Sequence, residues 1–544
     1  MDQIVYLELF ITIVIKVIAT DGKLNVLFIV ADDLRPSLGC YGVTPLVTPN
    51  IDYLASQSIV FNRTYAQQAL CGPSRASFLT SRRPNSTHVF DQSTYWRTKG
   101  GNFTTLPQHF KNNGYQTFSV GKIFHPGKAS GKTDDYSYSW SVPPYHPSTD
   151  KYKMAKVCPG PDGKKYMNLV CPVDVSTMPE KTLPDLQSTQ HALEIIRNMS
   201  YGNSPFFLAV GYQKPHIPLK YPKHYLDLYP LKDIHLAPDP TLPPKLPSVA
   251  WNPWADIRER DDVKQLNVSF PYGPLPTNYQ LLVRQSYYAA TSYIDDQIGQ
   301  LLNGLVKYNM TSNTMIIFIG DHGWSLGEHQ EWAKYSNFEV ALRVPLIICV
   351  PGLTNRGSNS HRKSLHDWNT NELYSKNFKA SNSLVELVDI FPTLAELCGI
   401  EVPSQCPENN SNVLLCSEGL SLVPLIKQIS MNNQHTNFTW KSAIFSQYPR
   451  PSDIPQENSD QPKLKQIRIM GYTIRTELYR YTEWVGFDPI KLQTDWTDIH
   501  AKELYIHSVD PQEDNNVAGL PANQKTVHEL SAMLHQGWRH ALPN

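Results

Sequence analysis

Asn25-Val26-Leu27-Phe28-Ile29-Val30-Ala31 is an unbroken apolar run of strand length, and it stops abruptly at Asp32-Asp33. A strand that is apolar at every position must be covered on both faces, as a central parallel strand of an α/β sheet is. Three more runs repeat the pattern. Residues 116–120 end in Gly121-Lys122 with His125 just beyond, residues 205–210 run into Lys214-Pro215-His216, and residues 315–319 end in Gly320-Asp321-His322-Gly323. Residues 344–350 form a fifth. Helices are expected from Thr48-Pro49 onward, in the segment that begins at Cys71, over about 279–308, and over 384–398 with a kink near Pro392. The expected fold is α/β, a large, mostly parallel sheet sandwiched by helices.

Outward from these runs the texture changes twice. Residues 219–278 are proline-rich and read as a long excursion over the surface, and the polar stretch 353–380 reads as an exposed loop. Beyond a polar stretch near 428–439, short strands are expected at 441–446, 467–476, 479–485 and 503–505, then a helix over 524–535. This tail reads as a smaller C-terminal antiparallel α+β subdomain. The expected division is a signal peptide over 1–22, a catalytic domain over 23–430 and the C-terminal subdomain over 441–544.

The chain has 544 residues, with Lys+Arg 49 against Asp+Glu 49, so a surface built to wrap a polyanion is excluded and an anionic ligand must be met by a local pocket. Residues 4–19 are apolar but short for a membrane span, and they fit a signal peptide despite Asp2 and Lys16; an uncleaved anchor is the rival reading. Asn62, Asn85, Asn102, Asn198, Asn267, Asn309, Asn409 and Asn437 each begin an Asn-x-Ser/Thr triplet, a density that suits an exported glycoprotein. In such a chain Cys158 with Cys171 and Cys406 with Cys416 each bracket a polar loop that a local disulfide would close, contributing about 3 kcal/mol. Cys40, Cys349 and Cys398 sit in apolar contexts and read as buried thiols, and no spacing fits a zinc site.

Cys71 stands apart, in Cys71-Gly72-Pro73-Ser74-Arg75. Pro73 suits a first helical turn, which leaves Cys71 at a helix N-terminus, where free N–H groups favour anions and an ionised nucleophile. In a doubly wound sheet ligands bind beyond the carboxyl ends of the strands. Asp32-Asp33, Lys122 with His125, Lys214 with His216, and Asp321-His322 would then meet at one edge. Each alone also reads as a cap, a turn or a surface residue; four together point to one site. Asp32, Asp33 and Asp321 are hard oxygen donors suited to Ca²⁺ or Mg²⁺. Arg75, Lys122, Lys214 and Lys334 would hold an anion, and His125 and His216 would move protons. The pattern asks for transfer of a sulfuryl or a phosphoryl group and does not choose between them.

The Cys71-Gly72-Pro73-Ser74-Arg75 block, the Asp32-Asp33 strand end, Gly121-Lys122 and Asp321-His322-Gly323 resemble the signatures of the type I sulfatases, of the alkaline phosphatase-like superfamily. The resemblance extends along nearly the whole chain to the branch acting on 2-sulfated iduronate. It is carried by Ala31-Asp32-Asp33-Leu34-Arg35-Pro36-Ser37, by Lys214-Pro215-His216-Ile217-Pro218, by Glu331-Trp332-Ala333-Lys334-Tyr335-Ser336-Asn337-Phe338 and by Tyr448-Pro449-Arg450-Pro451-Ser452-Asp453.

The resemblance implies that a formylglycine-generating enzyme converts Cys71 to formylglycine (3-oxoalanine), whose hydrate attacks sulfur. Asp32, Asp33, Asp321, His322 and the modified Cys71 would face a Ca²⁺, with His322 alternatively binding substrate oxygens. Lys334 and His216 would meet the leaving oxygen, with His216 as general acid, while His125 would deprotonate the second hydroxyl. Arg75 and Lys122 would steady the modified residue and the sulfate. Lys214, Trp324 and Tyr335 would hold the sugar, with wall packing the alternative for the two aromatics. The implied function is hydrolysis of terminal iduronate 2-sulfate in heparan and dermatan sulfate, along a secretory route to the lysosome.

Overall fold

The computed structural model describes residues 23–43, 45–355, 378–431 and 439–543. The expected leader over 1–22, most of the polar loop at 353–380, most of the stretch near 428–439 and the Asn437 triplet lie outside the described residues.

Strand β1 (Asn25–Asp32) is buried along its whole length. Leu27, Ile29 and Ala31 enter one apolar cluster, while Val26, Phe28 and Val30 enter a second on the opposite face. That alternation follows from the two-residue period of a strand, and each such side chain contributes about 1.5–3 kcal/mol of burial. Around β1 the sheet has eight strands. The others are β2 (Ile59–Tyr65), β3 (Gln116–Gly121), β4 (Phe206–Pro215), β5 (Thr314–Gly320), β6 (Arg343–Val344), β7 (Leu346–Cys349) and β8 (Lys379–Glu386). Their order is β6-β2-β7-β5-β1-β4-β3, with β8 also on β2. β1 pairs in parallel with both β4 and β5, so three of the predicted strand ends finish side by side. The helix Thr277–Lys307 covers one face, and the helix Cys71–Thr80 covers the other.

Three sequence expectations change. Residues 384–398 are not one kinked helix: Leu384, Val385 and Glu386 pair with Arg63, Thr64 and Tyr65 at the end of β8, and only Ile390–Leu397 is an α-helix. Pro392 falls in the first turn of that helix, where its missing N–H breaks no bond. The run at 344–350 is split at Pro345 into β6 and β7, both antiparallel to their neighbours. β2, with Asn62 and Arg63 at its middle, lacked the apolar pattern and was not expected.

The tail forms a four-stranded antiparallel sheet of β9 (Ala443–Arg450), β10 (Ile469–Thr476), β11 (Tyr479–Asp488) and β12 (Gln493–Ile506). The helix Gln524–Gln536 packs Val527, Leu530 and Leu534 against Ile474, Tyr481 and Leu504 of this sheet. Cys158 is bonded to Cys171 and Cys406 to Cys416, whereas Cys40, Cys71, Cys349 and Cys398 are buried free thiols.

Candidate active site

The site lies where β1, β3, β4 and β5 end. The ladder between β1 and β4 slips after Ala31, which pairs with Tyr212, so that Asp32 pairs with Pro215. Asp33 takes a left-handed conformation (φ 63°) and turns the chain over the edge of the sheet. Gly211 in β4 allows a close approach, since a Cβ there would stand 1.9 Å from the carbonyl oxygen of Lys122.

Cys71 is fully buried at the first position of the helix Cys71–Thr80. Its Sγ stands 3.2 Å from Lys334 Nζ, 3.3 Å from His322 Nε2 and 3.4 Å from Asp32 Oδ1. The helix end is not bare, because the Gly72 N–H donates to Gln92 Oε1 at 2.8 Å. One turn on, Arg75 donates Nε to Asp321 Oδ2 at 2.8 Å, one terminal nitrogen to Asp32 Oδ1 at 3.2 Å and the other to the carbonyl of Ile123 at 2.9 Å. The Ser74 hydroxyl donates to the carbonyl of Asp321. Arg75 is thus a strut that ties the strand ends to the helix.

Two ammonium groups cover the paired carboxylates: Lys122 Nζ is 2.5 Å from Asp32 Oδ2 and Lys334 Nζ is 2.5 Å from Asp33 Oδ1. Burial pushes the Asp32 carboxyl up and Cys71 adds to that push, yet Lys122, His216 and Arg75 hold it well below the usual range. Burial prevails at Asp33, which rises to about 7 despite Lys334, and at Asp321, which also rises. Burial opposes ionisation of the Cys71 thiol, but Lys122, Lys334 and His322, with a hydrogen bond from His125, pull its pKa well below the ordinary value. The surrounding cations thus favour negative charge at position 71.

Asp32, Asp33, Cys71 and His322 each offer one ligand atom within 4.8 Å of the others. Asp33 Oδ2 is buried without a hydrogen-bond partner, so this oxygen-rich set fits a hard divalent cation. Asp321 stands outside that group of four. Its Oδ1 accepts the N–H of Asp33 and of His322, each at 3.0 Å, and its Oδ2 faces Arg75.

His322 rises to about 8; burial opposes this, and the Asp321 carboxylate overcomes it. His216 behaves in the opposite way. Its Nδ1 is 2.5 Å from the Ile217 carbonyl, leaving Nε2 toward Asp32 and Asp33 at 4.0 and 3.9 Å. Burial and the neighbouring Lys153 hold it well below its ordinary value, which favours the neutral imidazole. Lys214 lies behind it, donating to the His216 carbonyl, and burial lowers its pKa to about 8.

Trp324 and Tyr335 flank Lys334, with ring centres 5.6 and 5.8 Å from its Nζ. The Tyr335 hydroxyl is already engaged, donating to Asp256 at 2.6 Å and accepting from Gln461 at 2.8 Å. Both rings are almost wholly buried, so they shape the wall beneath Lys334. Lys153, lowered to about 8 by burial and then by Lys122, and Gln92 belong to the surroundings of the site and were missed. Both sit in irregular loops with no motif around them, and no sequence signal singled them out.

A family model described as Sulfatase matches residues 24–400. The chain is 53% identical over 504 residues to the iduronate 2-sulfatase of Homo sapiens, covering 92% of each chain. Among solved structures, it superposes with a TM-score of 0.66 on a phosphonate monoester hydrolase from Silicibacter pomeroyi at 19% identity, covering 96% of each chain. A second, described as in complex with its substrate D-glucosamine-2-N,6-O-disulfate, gives a TM-score of 0.63 at 22% identity over 95% of this chain and 97% of that one. At those identities the two structures speak for the fold alone.

Proposed function

The chain belongs to the sulfatase family, and on that premise we propose that it hydrolyses the 2-sulfate ester of terminal L-iduronate in heparan and dermatan sulfate. The observation that carries the chemistry is the placement of Cys71 Sγ between Lys334, His322 and Asp32 at 3.2–3.4 Å. The substrate assignment rests on the 53% identity to the human iduronate 2-sulfatase over 92% of each chain.

In this reading Cys71 is the precursor of formylglycine, formed by a formylglycine-generating enzyme, and its Sγ marks where the hydrate oxygens stand. That hydrate would supply a nucleophilic hydroxyl, and a Ca²⁺ held by Asp32, Asp33 and His322, with Asp321 beside them, would supply positive charge to the sulfate oxygens. Arg75 and Lys122 fix the carboxylates and the residue at position 71. Lys334, held as an ammonium by Asp33, stabilises charge on the leaving oxygen. His216 presents Nε2 to the same region and takes a proton once the anionic substrate offsets Lys153, after which it serves as general acid. His125, with Nδ1 buried and unpartnered, accepts the proton of the second hydroxyl. Lys214 backs His216 and helps to balance the sugar carboxylate.

We place the protein on the secretory route to the lysosome, in keeping with its many Asn-x-Ser/Thr triplets and its two disulfides. No helix among the described residues is long and apolar enough to cross a membrane. The test joins two measurements: the mass of the peptide containing position 71, and desulfation of iduronate 2-sulfate against glucosamine sulfates. Formylglycine with release of sulfate from the iduronate substrate is expected. An unmodified thiol in active protein, or turnover of a phosphate monoester in its place, overturns the reading.

A further inference from the structure

A second cavity, lined by none of these residues, lies between the segment that precedes Cys71, the turn after the helix Cys71–Thr80, and the C-terminal sheet and helix. Its volume is about 230 Å³, room for several waters or for one sugar ring. Its inner wall carries Gln67, which is 1% exposed and has neither its amide nitrogen nor its amide oxygen in a hydrogen bond. Leaving both ends of a buried amide unpaired costs about 1–3 kcal/mol for each polar group, a cost that a polar partner would relieve.

The sides of the cavity are aromatic. Trp496 packs 5.0 Å from Tyr472 and 4.3 Å from His535, centre to centre, and Trp538 stands opposite with the Arg83 guanidinium 5.3 Å from its ring. The charges in the lining are largely engaged, with the Nε of Arg83 left without a partner. Arg83 is bidentate to Glu386 at 2.6 and 2.8 Å, Glu418 accepts from the Arg83 N–H and the Ser86 hydroxyl at 2.7 and 2.5 Å, and His535 meets Glu483 at 2.8 Å. The lining therefore offers an ion little that is not already engaged. A ligand with faintly positive C–H faces and a ring of hydroxyl or acetamido groups suits both the π-faces and the unpaired amide.

We propose that this cavity binds a neutral pyranose, an N-acetylhexosamine ring above all. Asn85 at its rim begins the triplet Asn85-Ser86-Thr87. Its Oδ1 accepts from Gln447 Nε2 at 3.0 Å and from the Tyr472 hydroxyl at 3.4 Å. That orientation leaves Nδ2, the atom to which a glycan is joined, free to carry one. The same ring chemistry can therefore come from the protein's own Asn85-linked glycan or from a free saccharide.

The test uses full-length protein from a glycosylating host, with the desulfation rate and melting temperature of each variant confirming its fold. N,N′-diacetylchitobiose is titrated into Asn85→Gln while tryptophan fluorescence is followed. Saturable quenching is expected, weakened at least tenfold by adding Trp496→Ala or, should that variant not fold, Gln67→Ala. If the source is the protein's own glycan, the parent protein gives no quenching, and amidase frees the Asn85 glycan from native protein at least tenfold more slowly than from the Trp496→Ala variant. If the source is a free saccharide, parent and Asn85→Gln titrate alike. No saturable quenching in Asn85→Gln, with the Asn85 glycan absent or released as fast as the others, overturns the proposal.

Discussion

Replacing Glu331 by Gln should remove part of the protein's loss of stability between pH 5 and neutrality, a loss shared with Asp239, Asp295 and Asp460, which burial also raises to about 8. Glu331 is fully buried, and its Oε1 accepts the N–H of Asn252 at 2.9 Å, while Asn252 Nδ2 in turn donates to the carbonyls of Trp332 and Lys334. It therefore braces the turn that presents Lys334. Burial raises its pKa from 4.5 to about 8, outweighing the Asn252 bond and the Arg450 charge. A carboxyl whose folded value lies above its unfolded value stabilises the fold fully below the unfolded value, and that stability is lost as pH rises through the folded one. From pH 5 to 7.5 the unfolded chain ionises at this position and the folded chain does not, which costs about 3 kcal/mol. For a chain of this length unfolding as one unit, that is about 3 °C in melting temperature. The amide of Gln reproduces the neutral carboxyl in shape and accepts the same Asn252 bond, so Glu331→Gln should match the parent near pH 5. At pH 7.5 it should melt about 3 °C higher. The assay is scanning calorimetry of both proteins across that interval. Parallel melting curves, or a parent that gains stability with pH, would refute the reasoning.

Three further outcomes follow from the site. Cys71→Ala should lose turnover to background while its circular dichroism and melting temperature stay near those of the parent; residual activity near the parent's would sink the role given to position 71. Dialysis against a calcium chelator should abolish desulfation, and Ca²⁺ should restore it; full activity in the chelated protein would remove the ion from the site. Gly211→Ala should push the Lys122 segment away from β4, at a cost of about 1–3 kcal/mol, and lower kcat together with the melting temperature; an unchanged kcat would show that the approach of the two backbones does not position Lys122.

How much of this was legible in the sequence depended on how local each signal was. β1 and the strand ends around it were readable because apolar runs buried on both faces leave an unmistakable pattern, and each run stops at a charged residue. β2 was hidden, since Asn62 and Arg63 sit at its middle where the sheet is half-exposed. β12 runs over Gln493–Ile506, yet its first half is polar and largely exposed, so only its apolar end was visible. The helix assigned to 384–398 failed because Leu384 and Val385 fit a helical stripe as well as they fit a strand, and only pairing with β2 decides between them. Lys153 and Gln92 needed the fold itself, since nothing beside them in the chain marks their part in the site.

The charge balance explains how a chain with no net charge can take a doubly anionic sugar. Among the groups that touch one another at the strand ends, Arg75, Lys122 and Lys334 face Asp32, Asp33 and Asp321. Three fixed cations thus meet three carboxylates, while His322, raised to about 8 and standing 3.4 Å from Asp33 and 3.6 Å from Asp321, adds a positive charge of its own. Asp33 and Asp321 show the strain of that balance, since burial raises both pKa values while those cations stand beside them. A divalent ion in this oxygen-rich set would relieve the carboxylates and add two positive charges. A sulfate ester brings one negative charge and the carboxylate of a uronate a second. The specificity proposed for this site then rests on a surplus confined to a few ångströms around position 71, which no count over the whole chain would reveal.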